Sequence, residues 1–343
     1  MRRNLLTKSM RASFIVTAAL AASMLSFGVH NAESAGIAEP NFAPSAIALS
    51  PGRVWLGDLQ INQVTELKSA NGQVVRYISS SRVPHLESND IQVSGSDLWV
   101  ALPKLVVEFN SSTGTLVRVI KIPSGDNGAT AGLAVEGSRV WLLTQGIPSS
   151  YLTEFNTSNG SLVKVLPVSG TANDFTMNKR HLWVTETSTG NWGIIEYKSV
   201  DGSVVRTITG AQDLGFQYPS VVTVSGNRLW TTNGESPYIA ELNASDGSVI
   251  RRIRLPFIGI GNFSTLVVCG PNLFMSTQSS HGLVIEVNKA NGKLVHVFKV
   301  PARQDFLSPN RIAVSGDTLW VSNGGEYLDE YSCITGALIR VLT

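Results

Sequence analysis

Charge is scarce in this sequence. Only 15% of its 343 residues are charged, against 43% that are hydrophobic. That is too little charge for a charge-driven binder and too much apolar side chain for a disordered chain. Helical periodicity is missing as well: beyond the leader, no stretch repeats its apolar residues every 3.6 positions. The chain has no Gly-x-Ser-x-Gly, no His-Glu-x-x-His and no phosphate-binding Gly-rich loop with its lysine. The "GIGN" at Gly259 is too short for nucleotide binding. These absences remove the commonest hydrolase, zinc-protease and nucleotide-enzyme readings.

The first 35 residues stand apart in composition. Arg2, Arg3, Lys8 and Arg11 form a basic start, an apolar run follows from Ala12 to Val29, and the small, polar "HNAESAG" closes the segment. This is the layout of a secretory signal, with cleavage expected between Gly28 and Ala38. An uncleaved anchor is the alternative, since the apolar run is just long enough to span a bilayer. "RRNLL" loosely resembles a twin-arginine signal but lacks the usual preceding Ser. Without residues 1–35 the chain keeps 23 basic and 24 acidic residues, a net charge near −1. The pI of 8.5 therefore owes much to the leader and does not argue for nucleic acid. The expected product is secreted, periplasmic or at the cell surface, monomeric, and without a stable membrane span.

What is present in abundance is repetition. An aromatic residue among apolar neighbours occurs at Trp55, Trp99, Trp141, Trp183, Trp230, Phe274 and Trp320. A glutamate follows each one, at Glu66, Glu108, Glu154, Glu196, Glu241, Glu286 and Glu330, and six residues later comes a glycine. Each unit splits into four short alternating runs, such as "DIQVS", "DLWVAL", "VVEFN" and "TLVRVI". Seven units of four strands, each about 44 residues long, predict an all-β, seven-bladed β-propeller over residues 36–343. "LWVTE", "LWVSN" and "LWTTN", each followed by Glu and then Gly, resemble the YVTN/NHL-type repeats of YncE-like propellers. The resemblance implies a fold that serves mostly as a binding scaffold with varied ligands.

The repeated residues have structural readings. A three-residue hairpin loop would pair Ser69 with Gln73 and set Glu66 opposite Arg76. The same arithmetic gives Glu108–Arg118, Glu154–Lys164, Glu196–Arg206, Glu241–Arg251, Glu286–His296 and Glu330–Arg340. Such pairs fix register and contribute roughly 0.2–1 kcal/mol each. The aromatic column is expected to fill the wedge between blades. His181 is expected in a surface turn. Export would permit a disulfide between Cys269 and Cys333. Their positions, one in an inner turn and one in an outer hairpin, argue against it by placing them at different radii.

Function is expected where the copies differ, on the rim that carries the loops between strands two and three and those between blades. Polar candidates are Asp58, Glu186, Asn233 and Asn323 at the ends of second strands, and Asp90, Asp174 and Arg311 at the starts of first strands. A ring of such oxygens could hold a hard cation such as Ca²⁺ or Mg²⁺, though no contiguous Asp-x-Asp-x-Asp loop supports it. Otherwise no cofactor is expected. Aromatic candidates are Trp192, Tyr218, Tyr238 and Phe257, with Phe216, Phe263 and Phe306 nearby, all over blades four to six. They read either as a wall for a ligand, glycan or protein partner, or as loops packing on themselves. Streptogramin lyases are related seven-bladed propellers that use a His–Glu pair with Mg²⁺. That relation suggests His281 with Glu235 or Glu326, while sugar-lactonase propellers suggest Asp58, Asp174 and Glu186. The leading expectation is a non-enzymatic binder; the alternative is a metal-assisted lyase or lactonase-like hydrolase.

Overall fold

A computed structural model describes residues 44–58, 62–123, 129–146, 149–188, 191–209, 218–234, 236–256, 262–278, 282–299, 309–323 and 327–342. They form seven sheets, each of four antiparallel strands hydrogen-bonded in chain order. The blades span 44–78, 90–121, 129–169, 171–209, 219–254, 262–299 and 309–342. Blade two shows the plan, with strands Asp90–Ser94, Asp97–Leu102, Leu105–Asn110 and Leu116–Lys121. First strands of adjacent blades contact one another, so they line the axis and the fourth strands lie outside. Among the described residues no helix is long and apolar enough to cross a membrane.

Seven apolar clusters hold the blades together, and each joins one blade to the next. Trp99 packs with Leu133, Val140, Leu142 and Phe155 of blade three. Trp183 packs with Val222, Leu229, Ala240 and Leu242 of blade five. Phe274 fills the same role against Ile312, Leu319 and Val321 of blade seven. Trp320 closes the ring on Ile47, Val54, Leu56 and Leu67 of blade one. The aromatic column is therefore interblade packing, as its sequence position predicts. Among the described residues the seventh sheet contains only strands of its own unit.

All seven expected pairs are in register, from Glu66 opposite Arg76 to Glu330 opposite Arg340. The hairpin end is built differently from the three-residue loop. The Lys68 amide donates to the Gln73 carbonyl, and a bulge between Glu66 and Leu67 resets the register by one residue. The hairpin glycine does take the left-handed backbone, with φ of 74° at Gly114.

The glutamates are not surface pairs. Their side chains are 0–6% exposed, and most bind a second cation across the other hairpin. Glu66 meets Arg53 as well as Arg76, and Glu241 meets Arg228 as well as Arg251. His181 belongs to this second set. It is half-buried, 2.6 Å from Glu196, and stacks on Trp183 at 5.6 Å. The surface-turn reading of His181 is thereby corrected: the position that holds Arg53, Arg139 and Arg228 in sister blades faces the glutamate.

A second correction concerns the cysteines. Cys269 and Cys333 form a disulfide, with Cα atoms 5.9 Å apart. The expected difference in radius disappears because each outer hairpin folds back on its own inner turn. The Ser111 amide donates to the Ser96 carbonyl, and the Cys333 amide likewise to Asp317. Cys333 is thus carried inward to the seam where Cys269 of blade six waits, and both are buried.

Candidate functional site

The axial channel opens on one side through a mouth of about 780 Å³. Its lining comes from the starts of first strands, the ends of second strands and the segments leading into the blades. It includes Asn89, Gln145, Asn173, Asp174, Tyr218 and Arg311. A second cavity of about 220 Å³ lies against the first strands and is reached by Asp90, Asp174 and Arg311. Of the polar candidates read from sequence, these three converge on the channel.

Hydrogen bonds between neighbouring blades hold the two carboxylates. Asp90 of blade two accepts from the Leu133 amide of blade three at 2.8 Å, and from its neighbour Ile91 at 2.9 Å. Asp174 of blade four accepts from the Val222 amide of blade five at 2.9 Å. Burial dominates both groups. It raises Asp90 above the usual carboxylate range and pushes Asp174 up to about 7, against the opposing pull of the amides and of Arg311. Arg311 influences both groups across the channel, yet its guanidinium forms no ion pair within 4.0 Å with either. Among the described residues that guanidinium has no hydrogen-bond partner; the backbone of Arg311 bonds to Ser322, its amide donating to the hydroxyl and its carbonyl accepting from it.

The side-chain amides of the mouth share this condition. Asn89, Gln145 and Asn173 make no side-chain hydrogen bond among the described residues. Sequence reasoning missed them because each stands beside, not in, the columns it compared: Asn89 and Asn173 immediately precede Asp90 and Asp174. Hydroxyl groups in the same ring have other work, stitching blades together. Ser45 donates to the Ser88 carbonyl, Thr130 to Leu102 and Ser264 to Pro309.

Other candidates are placed elsewhere. Asp58, Glu186 and Asn233 are buried, 1%, 5% and 2% exposed, so they are not solvated rim groups. Each has an interaction within the fold. Asn323 lies in a strand with its backbone opposite Pro309. Phe257, His281, Glu235 and Glu326, with Phe216 and Phe306, lie outside the described residues. Trp192 and Tyr218 meet, ring centroids 4.4 Å apart, and Tyr218 turns into the mouth from a left-handed backbone (φ 58°). Tyr238 instead packs against the cluster around Trp183, and Phe263 is 5% exposed in the cluster around Trp230. The aromatic arc is therefore part mouth wall and part core. Among the described residues no group of three or more His, Cys, Asp and Glu is placed to hold a metal ion.

No protein-family model matches the chain, and no curated protein matches it. Among solved structures it is similar to virginiamycin B lyase from Staphylococcus aureus, with a TM-score of 0.68 at 15% identity over 83% of this chain and 93% of that one. It is also similar to the computationally designed Ika8 protein, with a TM-score of 0.64 at 13% identity over 89% of this chain and 88% of that one. At such identities the likeness is one of fold, and with the seven four-stranded sheets it makes this chain a seven-bladed β-propeller.

Proposed function

We propose that this chain is an exported, non-enzymatic propeller of the YVTN/NHL type that binds a small polar ligand at the mouth of its channel. One observation carries the reading. The mouth gathers a guanidinium and three side-chain amides that make no hydrogen bond among the described residues, in a cavity of about 780 Å³. Sites for small molecules typically fall at roughly 300–1,000 Å³ with a few convergent polar groups. Export is supported by the layout of residues 1–35 and by the disulfide, which persists most readily in oxidising compartments. A thermal-shift screen of the mature protein against small molecules and glycans tests the proposal. A compound that raises the melting temperature in a saturable way supports it, and a library without hits opposes it.

The alternative, a metal-assisted lyase or hydrolase, draws on the likeness to the Staphylococcus aureus lyase and on Asp174, whose carboxyl can exchange a proton near neutral pH. It would enlist His281 and the rim carboxylates. Elemental analysis of the purified protein separates the two readings: stoichiometric bound divalent metal favours the enzyme, and metal-free protein that binds its ligand favours the scaffold.

A further inference from the structure

Arg311 is the odd residue of the channel. The sister positions in other blades are Ala46, Asp90, Gly132, Asp174, Val221 and Thr265, and among the described residues that line the channel no other is a long cation. Each carboxylate is tied to the next blade by a backbone amide. The guanidinium is tied to nothing among the described residues, although it lines both the mouth and the inner cavity.

We propose that the mouth takes an acidic saccharide, its carboxylate on Arg311 and its hydroxyls on Asn89, Gln145 and Asn173. This rests on the reading of the mouth as a ligand site. A guanidinium presents a rigid fork of donors that matches a planar carboxylate two bonds at a time. A side-chain amide offers both a donor and an acceptor, as a sugar hydroxyl does, so three free amides suit a hydroxyl-rich body. Tyr218, backed by Trp192, supplies a flat apolar wall for the C–H face of a pyranose ring.

Among the described residues, the charged and titratable groups that line these cavities are Asp90, Asp174, Tyr218 and Arg311. The elements facing Arg311 from blades one, three, five and six contribute Ile47, Ala131, Gly132, Val221, Ser264 and Thr265, none of which ionises. Burial holds Asp174 partly protonated near neutral pH. As pH falls through that range Asp174 loses its charge, so a carboxylate ligand on Arg311 binds more tightly; as pH rises the ionised Asp174 repels it.

The mature chain is titrated with D-glucuronate and D-glucose at pH 6 and pH 8, followed by calorimetry and tryptophan fluorescence. Glucuronate is expected to bind at least ~10-fold tighter than glucose at pH 6, the size of one charge-assisted contact, and to weaken at pH 8. Arg311→Gln should abolish the preference and Arg311→Lys should keep part of it, with unchanged thermal unfolding showing that both variants fold. A uronate-terminated disaccharide distinguishes a glycan end from a free sugar acid as the source, and binding of either supports the proposal. Equal affinity for the two sugars, or glucuronate binding that survives Arg311→Gln, overturns it. If a neutral or cationic compound binds at the mouth and uronates do not, this inference falls while the mouth remains a site. If nothing binds, both fall.

Discussion

Two tryptophans nine residues apart illustrate how position decides a side chain's role. Trp183 is 1% exposed and forms the centre of the contact between blades four and five. Trp183→Ala should cost about 3–5 kcal/mol by opening a void, readable as a shifted denaturant midpoint. Trp192 is half-buried, belongs to none of the seven clusters and touches Tyr218. Trp192→Ala should leave stability within about 1 kcal/mol and weaken ligand binding; a melt as damaged as that of Trp183→Ala would make the ring core. Tyr238 packs on the Trp183 cluster, so Tyr238→Ala should destabilise. Asp174 sets a pH dependence. Its carboxyl is pushed up to about 7 in the fold against about 3.9 in the unfolded chain. Below about pH 4 it is neutral in both states and costs nothing. Between 4 and 7 the unfolded chain releases the proton first, so stability falls as pH rises through that window. Asp174→Asn should therefore match the wild type near pH 4 and exceed it at pH 8, by about 1–2 kcal/mol given the side chain's partial access to channel water.

At the scale of the element, the fourth strand of one blade grips the outer hairpin of the next. Arg76 donates to the Ser111 and Ser112 carbonyls, Arg118 to Ser158, Lys164 to Val200, Arg206 to Ser245, and Arg340 closes the circuit on Ser69. Blade six carries His296 in this place, and its ring binds Glu286 without a hydrogen bond to the next hairpin among the described residues. That is the junction the disulfide spans, since Cys333 occupies the position of Ser69 and Ser111. The covalent bond does there what arginine or lysine does at the other junctions. Cys269→Ser with Cys333→Ser should lower stability by up to about 4 kcal/mol for a closed loop of this size, and hydrogen exchange should speed up first in blades six and seven. Uniform loosening of all blades would contradict this role. Much of it was legible in the sequence. The Glu–Arg pairing followed from hairpin arithmetic, because a fixed six-residue spacing determines which residues face each other. The disulfide, the burial of Asp58 and Glu186, and the free amides were not legible. They depend on how hairpins fold back and how neighbouring blades lean together, which a single repeat does not encode.

For the whole molecule, the described residues close the ring with the same contacts that hold the other junctions. Trp320 enters blade one as Trp99 enters blade three, and Arg340 reaches Ser69 as Arg76 reaches Ser111. A ring closed by such repeated, non-covalent contacts keeps its first strands at fixed radius, and the channel mouth is their shared product. Irregularity in the sequence is what gives that mouth its chemistry: two aspartates, one arginine and three amides on an otherwise repeated frame. The most direct test titrates a ligand found by screening into the wild type and into a variant carrying Asn89→Ala, Gln145→Ala and Asn173→Ala. The account predicts that affinity drops by at least ~10-fold, about 1.4 kcal/mol, while the melting temperature stays unchanged. Wild-type affinity in the triple variant would contradict it and place the binding surface elsewhere on the propeller.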